Sequence, residues 1–530
     1  MFRAGGSSSS RLRSAGRCGV RVHSHTHKAP DQAFPSPFAP PNAIKVSSPE
    51  WKKQDLMQEV SKALKSASSS LLERFIGTTY RFSEQPCLNE GNFRPVDEIG
   101  DAVLLKDLSG EVPEDFPEGV YIRNGPNPLH PTQTVADSIF GSTSYMYYEG
   151  HGMLHAVYFN KSGLGEWKIS YRNKFVDSDT FQLEREKNEV AFVPFADGQP
   201  YATLVAFVLN ILRFGKPVKD SANTNIFEHA GRAFAVSEHH LPYEIDINNL
   251  NTLGPYSING VWSQPFTSHP KKIHGSGDLV IMGTNTEKPH FVLGVISSDG
   301  EKLLHKVDLK FEEGKFIHDI GVTTGYNIIM DYPLIFGISR TLLQKPFIEN
   351  DMNGKSRIGV MPRFGDAESI MWFDVGNHCS YHLFNCFEDG NEVVVRSCRI
   401  LGSIIPSDRI RNKYGYAQVA DSLATSKTGL FKFKMIAKLH FDMPDKENKQ
   451  FISVEYHALK EKQFCSGVQF VAKENGIDED DGWVVTYVHD EETNISQVYI
   501  IDAKRFSEEP VAKIILPQRV PYGFHGNFFL

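Results

Sequence analysis

The run Trp483-Val-Val-Thr-Tyr-Val488, followed by the polar turn Asp490-Glu-Glu-Thr-Asn494, shows the pattern that decides the fold. Short segments rich in β-branched and aromatic residues, bounded by turn residues, are typical of β-strands. The pattern recurs from about residue 95 onward, as in Leu279-Val-Ile-Met282, Asn327-Ile-Ile-Met330 and Val393-Val-Val395. Long helical patterns are scarce and β-α-β alternation is absent. The sequence therefore predicts an all-β antiparallel array, either a propeller or a barrel.

Composition narrows the class of protein. The chain has 530 residues, of which 40% are hydrophobic and 23% charged, and its formal net charge is -8. These values indicate a soluble globular protein with a large core and without a nucleic-acid partner. The cysteines form no C-x-x-C pair, which favours reduced thiols over a disulfide scaffold or a zinc site. They are Cys18, Cys87, Cys379, Cys386, Cys398 and Cys465.

Residues 1–45 differ in composition from everything after them. They are rich in Arg and Ser, and no acidic residue precedes Asp31. This composition is typical of an organellar transit peptide, and a plain disordered tail is the alternative. Residues 46–530 are interpreted as one domain. It opens with a helix predicted over 51–76, where apolar residues recur at helical spacing.

One apolar segment, Leu204–Phe214, interrupts the strand pattern. It is too short to span a bilayer, which needs about 20 residues. A buried helix is the first interpretation. The second is an interfacial helix that dips into a membrane, with Arg213, Lys216 and Lys219 at its polar edge. The candidate membrane-contact or tunnel-entry residues are Leu204, Phe207, Val208, Ile211, Leu212 and Phe214.

Four of the twenty histidines have apolar or aromatic neighbours and are spread across the β region. They are His269, His318, His382 and His525. The last lies in the apolar tail Val520–Leu530, which is unusual because chain ends are usually polar and frayed. A buried imidazole needs a partner. Spacing alone leaves two interpretations open, core histidines bonded to backbone carbonyls or ligands of one metal.

The chain resembles the carotenoid cleavage dioxygenases from about residue 92 to residue 530. Eight motifs in the family's order carry the resemblance, which is strongest to the plant branch and, within it, to the apocarotenoid-cleaving zaxinone-synthase group. They are Asn92-Phe-Arg-Pro-Val96, Gly119-Val-Tyr-Ile-Arg-Asn-Gly-Pro-Asn-Pro128, Tyr148-Glu-Gly-His-Gly-Met-Leu-His155, Ser237-Glu238 with Leu241-Pro-Tyr243, Phe266-Thr-Ser-His-Pro270, Phe316-Ile-His-Asp319, His382-Leu-Phe-Asn385 with Glu388, and Pro521-Tyr-Gly-Phe-His-Gly526.

The resemblance implies a seven-bladed β-propeller with a helical cap over the active-site face. It implies iron(II) held by His269, His318, His382 and His525, with Glu238 orienting one ligand. The implied reaction is cleavage of a conjugated C=C bond of a carotenoid or apocarotenoid by O2, which gives two carbonyl products. A lipophilic polyene substrate, peripheral membrane contact and a plastid location, in the stroma or at a membrane, follow as expectations. The Phe and Tyr excess would line a substrate tunnel.

The chain departs from the family's pattern at three positions. A stretch that carries an acidic residue before a Phe-Pro motif is missing between Ile405 and Arg411, so one blade is expected to be incomplete. Gly467 stands where a second acidic residue is expected. His151 replaces an acidic residue and is given no role. The alternative to an active enzyme is therefore an impaired paralogue or splice variant that binds apocarotenoid or lipid without cleaving it. A stilbene-cleaving oxygenase is a further alternative within the same class.

Overall fold

The computed structural model describes most of the chain from residue 69 onward. The described residues are 12–13, 69–88, 90–351, 354–376, 378–397, 416–420, 432–440 and 453–530. The chain divides into two compact units, one of which comprises Arg13–Thr79 and the other of which contains Tyr80–Leu530. In the first unit, residues 69–79 are helical, so the C-terminal part of the helix predicted over 51–76 is confirmed. Its remainder, and nearly all of the segment 1–45, lie outside the described residues.

Three four-stranded antiparallel sheets follow one another along the larger unit. Central strands such as Leu279–Thr284 and Phe291–Ile296 are buried on both faces, whereas the outer strand Leu303–Asp308 alternates between half-buried and exposed positions. This is why the central strands are continuous apolar runs in the sequence. The strands are Asn225–His229, Arg232–Val236, Tyr243–Asp246 and Asn251–Pro255; Lys271–Lys272, Leu279–Thr284, Phe291–Ile296 and Leu303–Asp308; and Gly321–Val322, Tyr326–Asp331, Arg357–Pro362 and Met371–Asp374.

A five-stranded sheet joins the two ends of the larger unit. Its edge strand Gly526–Phe529 pairs antiparallel with Gly119–Asn127. We call Gly526–Phe529 the tail strand. Phe529 is buried, but Leu530 is 90% exposed. The sequence predicts that Phe528-Phe529-Leu530 together form a buried anchor for the tail, which is wrong for Leu530, because the last ladder pair is Phe529 with Val120. The other strands of the sheet are Val103–Leu104, Trp167–Phe175 and His151–Lys161.

The remaining strands form one large sheet and several small ones. The large sheet is eight-stranded and ends on Leu108–Gly110. Its other strands are Tyr416–Ala420, Phe433–His440, Ser453–Ala458, Gln463–Ala472, Gly482–Asp490, Ile495–Asp502 and Ala512–Ile515. The small sheets use Arg81–Ser83, Val135–Ser138, Gly141–Ser144 and Asp197–Gly198; Leu334–Phe336 and Ile348–Asn350; and the hairpin Leu383–Asp389 with Glu392–Ser397. Leu12–Arg13 is a two-residue strand.

Helices are inserted between strands at one end of the sheets. They are Asp179–Lys187, Pro200–Phe214 and Ile338–Leu342. We call Pro200–Phe214 the cap helix. It begins with a proline, whose fixed φ suits the first turn, and is followed by Gly215, which adopts a left-handed φ of 73°.

The register of the strands fixes which end of the sheets carries these insertions. Gly526 pairs with Arg123, and Met153 pairs with both Gly125 and Phe175. The strand Trp167–Phe175 therefore finishes at the end where the tail strand begins, directly after His525. The segment 176–224, which contains the two longer helices, leaves its sheet from that end. Helices thus lie on the side of the sheets that carries His525, as a helical cap requires.

Candidate metal centre

Each of the four predicted ligands occupies the same position in its sheet. His382 and His525 directly precede the strands Leu383–Asp389 and Gly526–Phe529. His269 and His318 precede the short strands Lys271–Lys272 and Gly321–Val322 by two and three residues. The strands of His269, His318 and His525 are edge strands of their sheets. Similar positions in four different sheets bring together four histidines that are far apart in sequence.

The four imidazoles converge. One ligand nitrogen from each of the four histidines lies within 4.8 Å of the other three. The Nε2 atoms of His269 and His318 are 2.9 Å apart, and the ring centroids of His269 lie 4.6 Å from those of His318, His382 and His525. Nitrogens bound at about 2.1 Å to one divalent ion lie about 3 Å apart at right angles and about 4.2 Å apart when opposite. The spacing therefore fits one metal ion.

The protonation state of the histidines is also suited to binding a metal cation. Burial lowers the pKa of His269 and of His525 well below the ordinary imidazole value, and the neighbouring imidazoles lower it further. Burial lowers the pKa of His382 as well, although the nearby Asp319 carboxylate opposes that shift. These rings are therefore neutral at pH 7, and their lone pairs are free to bind a metal. Neutral imidazole suits divalent iron, zinc, copper and nickel.

Glu238 lies beside one of the four histidines. Its Oε1 atom is 2.5 Å from Nδ1 of His318, the nitrogen turned away from His269. Burial raises the pKa of Glu238, but the adjacent His318 imidazole outweighs this effect and lowers the pKa to about 2. An ionised carboxylate at this position holds the tautomer and the orientation of the ring.

Asp319 is a functional candidate that the sequence reasoning missed. Its Oδ2 atom lies 3.7 Å from Nδ1 of His382 and accepts a hydrogen bond of 3.0 Å from the backbone N–H of Leu383. Lys271 approaches the same carboxylate, with Nζ 2.9 Å from Oδ1. The adjacent pair His318-Asp319 was the available signal. The contact with His382 joins residues 63 positions apart, which local spacing does not show.

His525 is held through its backbone. The backbone N–H of Asn124 donates to His525 O at 3.0 Å, and the backbone N–H of His525 donates to Thr224 O at 3.3 Å. One residue earlier, the backbone N–H of Phe524 donates to Asn124 O at 3.0 Å. Upstream, Arg123 Nη1 donates to Pro521 O at 2.5 Å. The tail is thus fixed on both sides of the imidazole.

Gly467, which replaces an expected acidic residue, lies against Arg123. It has a left-handed φ of 70°, and a Cβ atom at this position would lie 2.5 Å from Arg123 Cγ. The Arg123 side chain therefore fills the space that a larger residue at 467 would need. The other expected departure, between Ile405 and Arg411, lies outside the described residues.

Aromatic side chains surround the histidine that Glu238 supports. The ring centroid of His318 lies 5.4 Å from that of Tyr381 and 6.1 Å from that of Phe316. Tyr381 and Phe316 are themselves in edge contact at 6.2 Å. An apolar, aromatic wall beside the centre is suited to a lipophilic ligand.

The cap helix has both buried and exposed apolar residues. Phe207 is buried, whereas Val208, Ile211 and Leu212 are exposed, the last at 62%, and Leu204 and Phe214 are half-buried. The short helix Ile338–Leu342 packs beside it and exposes Leu342. No helix in the described part of the chain is long and apolar enough to cross a membrane.

The prediction that Lys219 belongs to the polar edge of the cap helix is wrong. Lys219 is buried, and its Nζ lies 3.5 Å from Glu184 Oε2 and 2.6 Å from Tyr145 Oη. Glu184 also contacts His151, with Nε2 to Oε2 at 2.6 Å. Because this cluster is buried, Lys219 does not face a membrane surface. His151 gains a structural role as the partner of Glu184.

Comparison with known proteins gives the family. The family described as RPE65, retinal pigment epithelial membrane protein, matches residues 93–412 and 408–530. The two matches meet where the stretch after Ile405 is missing. Carotenoid 9,10(9',10')-cleavage dioxygenase 1 of Pisum sativum is 29% identical over 532 residues, covering 88% of this chain and 94% of that protein. The chloroplastic 9-cis-epoxycarotenoid dioxygenase NCED2 of Oryza sativa subsp. japonica is 29% identical, covering 83% of each.

Solved structures give the fold. A variant of the Synechocystis apocarotenoid oxygenase superposes with a TM-score of 0.63 at 19% identity, covering 85% of this chain and all 100% of that one. The lignostilbene dioxygenase of Pseudomonas brassicacearum gives a TM-score of 0.64 at 19% identity, with coverage of 85% and 99%. The molecule is an all-β protein with four converging histidines. It belongs to the RPE65 and carotenoid cleavage dioxygenase family. The predicted fold class, that of the seven-bladed propellers of this family, is confirmed.

Proposed function

We propose that this protein is a non-haem iron(II) dioxygenase that cleaves a conjugated C=C bond of a carotenoid or apocarotenoid. The observation that carries the proposal is the convergence of His269, His318, His382 and His525 within 4.8 Å. Relatives named carotenoid cleavage dioxygenases support it. The reaction balances as one C=C bond and one O2 giving two C=O groups.

The four histidines would hold the iron, and Glu238 would fix the ring of His318. Bound iron(II) would supply the activation of O2, which amino-acid side chains do not provide. The protein's own part is to keep the imidazoles neutral and oriented and to place one double bond beside them. Tyr381 and Phe316 would exclude water from that side and contact the polyene. How far the substrate enters the site would then determine which double bond is cleaved.

Product analysis tests the activity. The iron-loaded protein is incubated under 18O2 with carotenoids, apocarotenals and stilbenes, and the products are analysed by mass spectrometry. We expect two carbonyl products with one labelled oxygen each, from the apocarotenals above all, as the plant apocarotenoid-cleaving group implies. His269→Ala should abolish them, whereas His229→Gln should retain activity because His229 bonds Ser297 O away from the cluster. A fully iron-loaded protein that gives no product from any polyene would contradict the proposal.

Binding without cleavage is the second candidate, and Gly467 favours it. A ligand histidine without a carboxylate partner is less firmly oriented, which typically costs about 10–100-fold in metal affinity or activity. The same substrates report on this candidate, because bound polyenes change their absorption spectrum. Stoichiometric apocarotenal binding at full iron loading, with unchanged substrate recovered after oxygen exposure, would establish binding alone.

We further propose that the exposed face of the cap helix touches a membrane surface. Val208, Ile211 and Leu212 are exposed apolar residues of the cap helix, Leu342 of the neighbouring helix is also exposed, and a lipophilic substrate resides in membranes. Leu212→Asp should reduce flotation with phosphatidylcholine vesicles several-fold. The matched control is Leu164→Asp, because Leu164 is 88% exposed in a strand-connecting turn. Equal flotation of both variants and the wild type would remove the cap helix from the contact.

A plastid location completes the proposal. It is supported by the Arg- and Ser-rich composition of residues 1–45 and by relatives named chloroplastic. A fusion of residues 1–45 to a fluorescent protein should be imported into plastids of plant cells. A diffuse cytosolic signal from that fusion would contradict the location.

A further inference from the structure

One partly buried ion pair, Lys271 with Asp319, connects three of the four ligand segments. Lys271 lies two residues after His269, Asp319 follows His318, and Leu383 follows His382. Asp319 contacts both of the other two, through Lys271 Nζ at 2.9 Å and the Leu383 backbone N–H at 3.0 Å. The carboxylate thus joins three consecutive sheets directly beside their ligands.

The environment of Asp319 makes this arrangement rigid. Its side chain is 1% exposed, and its Oδ1 atom also accepts a hydrogen bond of 2.7 Å from the backbone N–H of Ile320. A buried carboxylate persists only with a cation and hydrogen-bond donors in good geometry, because desolvation is costly. Both oxygens of Asp319 are occupied in this way, so the group has little freedom to move. Its Oδ2 atom remains 3.7 Å from Nδ1 of His382.

We infer that the Lys271–Asp319 pair is the positioning device for His382, and that it sets the spacing of the His269, His318 and His382 segments. The inference rests on the proposed function, since it assumes that the histidines bind a metal. Asp319 is a positioning residue, because it acts on the centre through His382 and not on the substrate.

Cobalt(II) binding to the purified full chain tests the inference. Affinity is measured by competition with a chelator, and the visible d–d spectrum reports the ligand geometry. Asp319→Asn keeps the size of the side chain and removes its charge. Glu184→Gln is the matched control, because Glu184 is equally buried at 1% and paired with Lys219 and His151, none of which adjoins a ligand. Thermal unfolding of the metal-free variants shows that both are folded.

We expect Asp319→Asn to lower cobalt affinity about 10–100-fold and to change the d–d spectrum, while Glu184→Gln keeps both. The double variant with Lys271→Met should bind no more weakly than Asp319→Asn alone, because the two residues act as one unit. Wild-type affinity and spectrum in Asp319→Asn would overturn the inference, as would an equal loss in Glu184→Gln. Absence of cobalt binding by the wild type would instead overturn the proposed function.

Discussion

His318 and His525 reach the same centre but are held in opposite ways. His318 is held through its side chain, because Glu238 lies 2.5 Å from its outer nitrogen. His525 is held through its main chain, which is bonded to Asn124 and Thr224, and the following tail strand continues the ladder. Gly467, where a second acidic residue was expected, packs on Arg123, whose guanidinium donates to Pro521 O in the same tail as His525.

The difference shows two physical routes to an oriented ligand. A carboxylate fixes a ring by charge and by choice of tautomer, so its effect depends on protonation. Backbone hydrogen bonds fix the Cα position of a residue, and the packing around it then orients the ring. The orientation of such a ligand therefore depends on the strand ladder and on tight contacts such as that of Arg123 with Gly467. The two ligands should therefore respond to different substitutions.

Removing the tail should have the largest effect. Deletion of residues 525–530 takes away both the imidazole and the tail strand, so we expect iron binding to be abolished and the free energy of unfolding to fall. His525→Ala should lose the iron but keep the fold, because the strand pairing of Gly526–Phe529 does not need the ring. Iron content and thermal unfolding measure the two effects. Iron at wild-type occupancy in either variant would exclude His525 as a ligand.

Removing the carboxylate should have the next largest effect. Glu238→Gln should weaken iron binding about 10–100-fold while the fold remains, because the ring of His318 loses its charged partner. Glu228→Gln is the control, since Glu228 pairs with Lys272 at the protein surface. Chelator competition gives both affinities. The carboxylate route would be refuted by equal affinities of the two variants.

A methyl group at position 467 should destabilise the tail that carries His525, without a direct effect on Glu238 or His318. Gly467→Ala places a Cβ 2.5 Å from Arg123 Cγ at a left-handed φ, so Arg123 must shift away from Pro521. We expect the free energy of unfolding to fall by about 1–3 kcal/mol, as is usual for overpacking. Gly163→Ala meets open space and should change it by less than about 0.5 kcal/mol. Denaturant titration compares them, and equal stability would show that Arg123 is not tightly packed there.

The smallest of the expected effects is on the pH dependence of stability. Only the ligand that is held by a carboxylate, His318, should lose support in acid. The folded pKa of Glu238 is about 2, below the ordinary value of 4.5. A carboxyl group whose pKa is lower in the folded than in the unfolded state stabilises the fold at pH values above its unfolded-state pKa. This stabilisation is lost as the pH falls toward its folded-state pKa. For the metal-free protein, the Tm difference between wild type and Glu238→Gln should therefore shrink between about pH 5 and about pH 2. A difference that is constant over this range would contradict the charged pairing with His318.

Much of this arrangement was predictable from sequence, because it depends on local patterns. Runs such as Trp483–Val488 became buried strands, and the ordered motifs gave the four histidines and Glu238. The features that were missed depend on contacts between distant residues. Asp319 and His382, which are in contact, belong to segments of two different sheets. Lys219 is buried because its Nζ is bonded to Glu184 and Tyr145.

The cap helix shows the same limit. Its composition left burial and membrane contact open, since an apolar sequence does not reveal which face has neighbours. The structure buries Phe207 against Phe195, with ring centroids 5.5 Å apart, and leaves Leu212 exposed. Position 467 is similar, because a glycine in the sequence does not show that the Arg123 side chain has filled its space.

The iron content of the wild-type protein, reconstituted with iron(II) under anaerobic conditions and measured per folded chain, tests the central claim most directly. The convergence of His269, His318, His382 and His525 predicts one iron per chain, lost in each single alanine variant of the four. A folded wild-type protein that retains far less than one iron per chain would contradict the account.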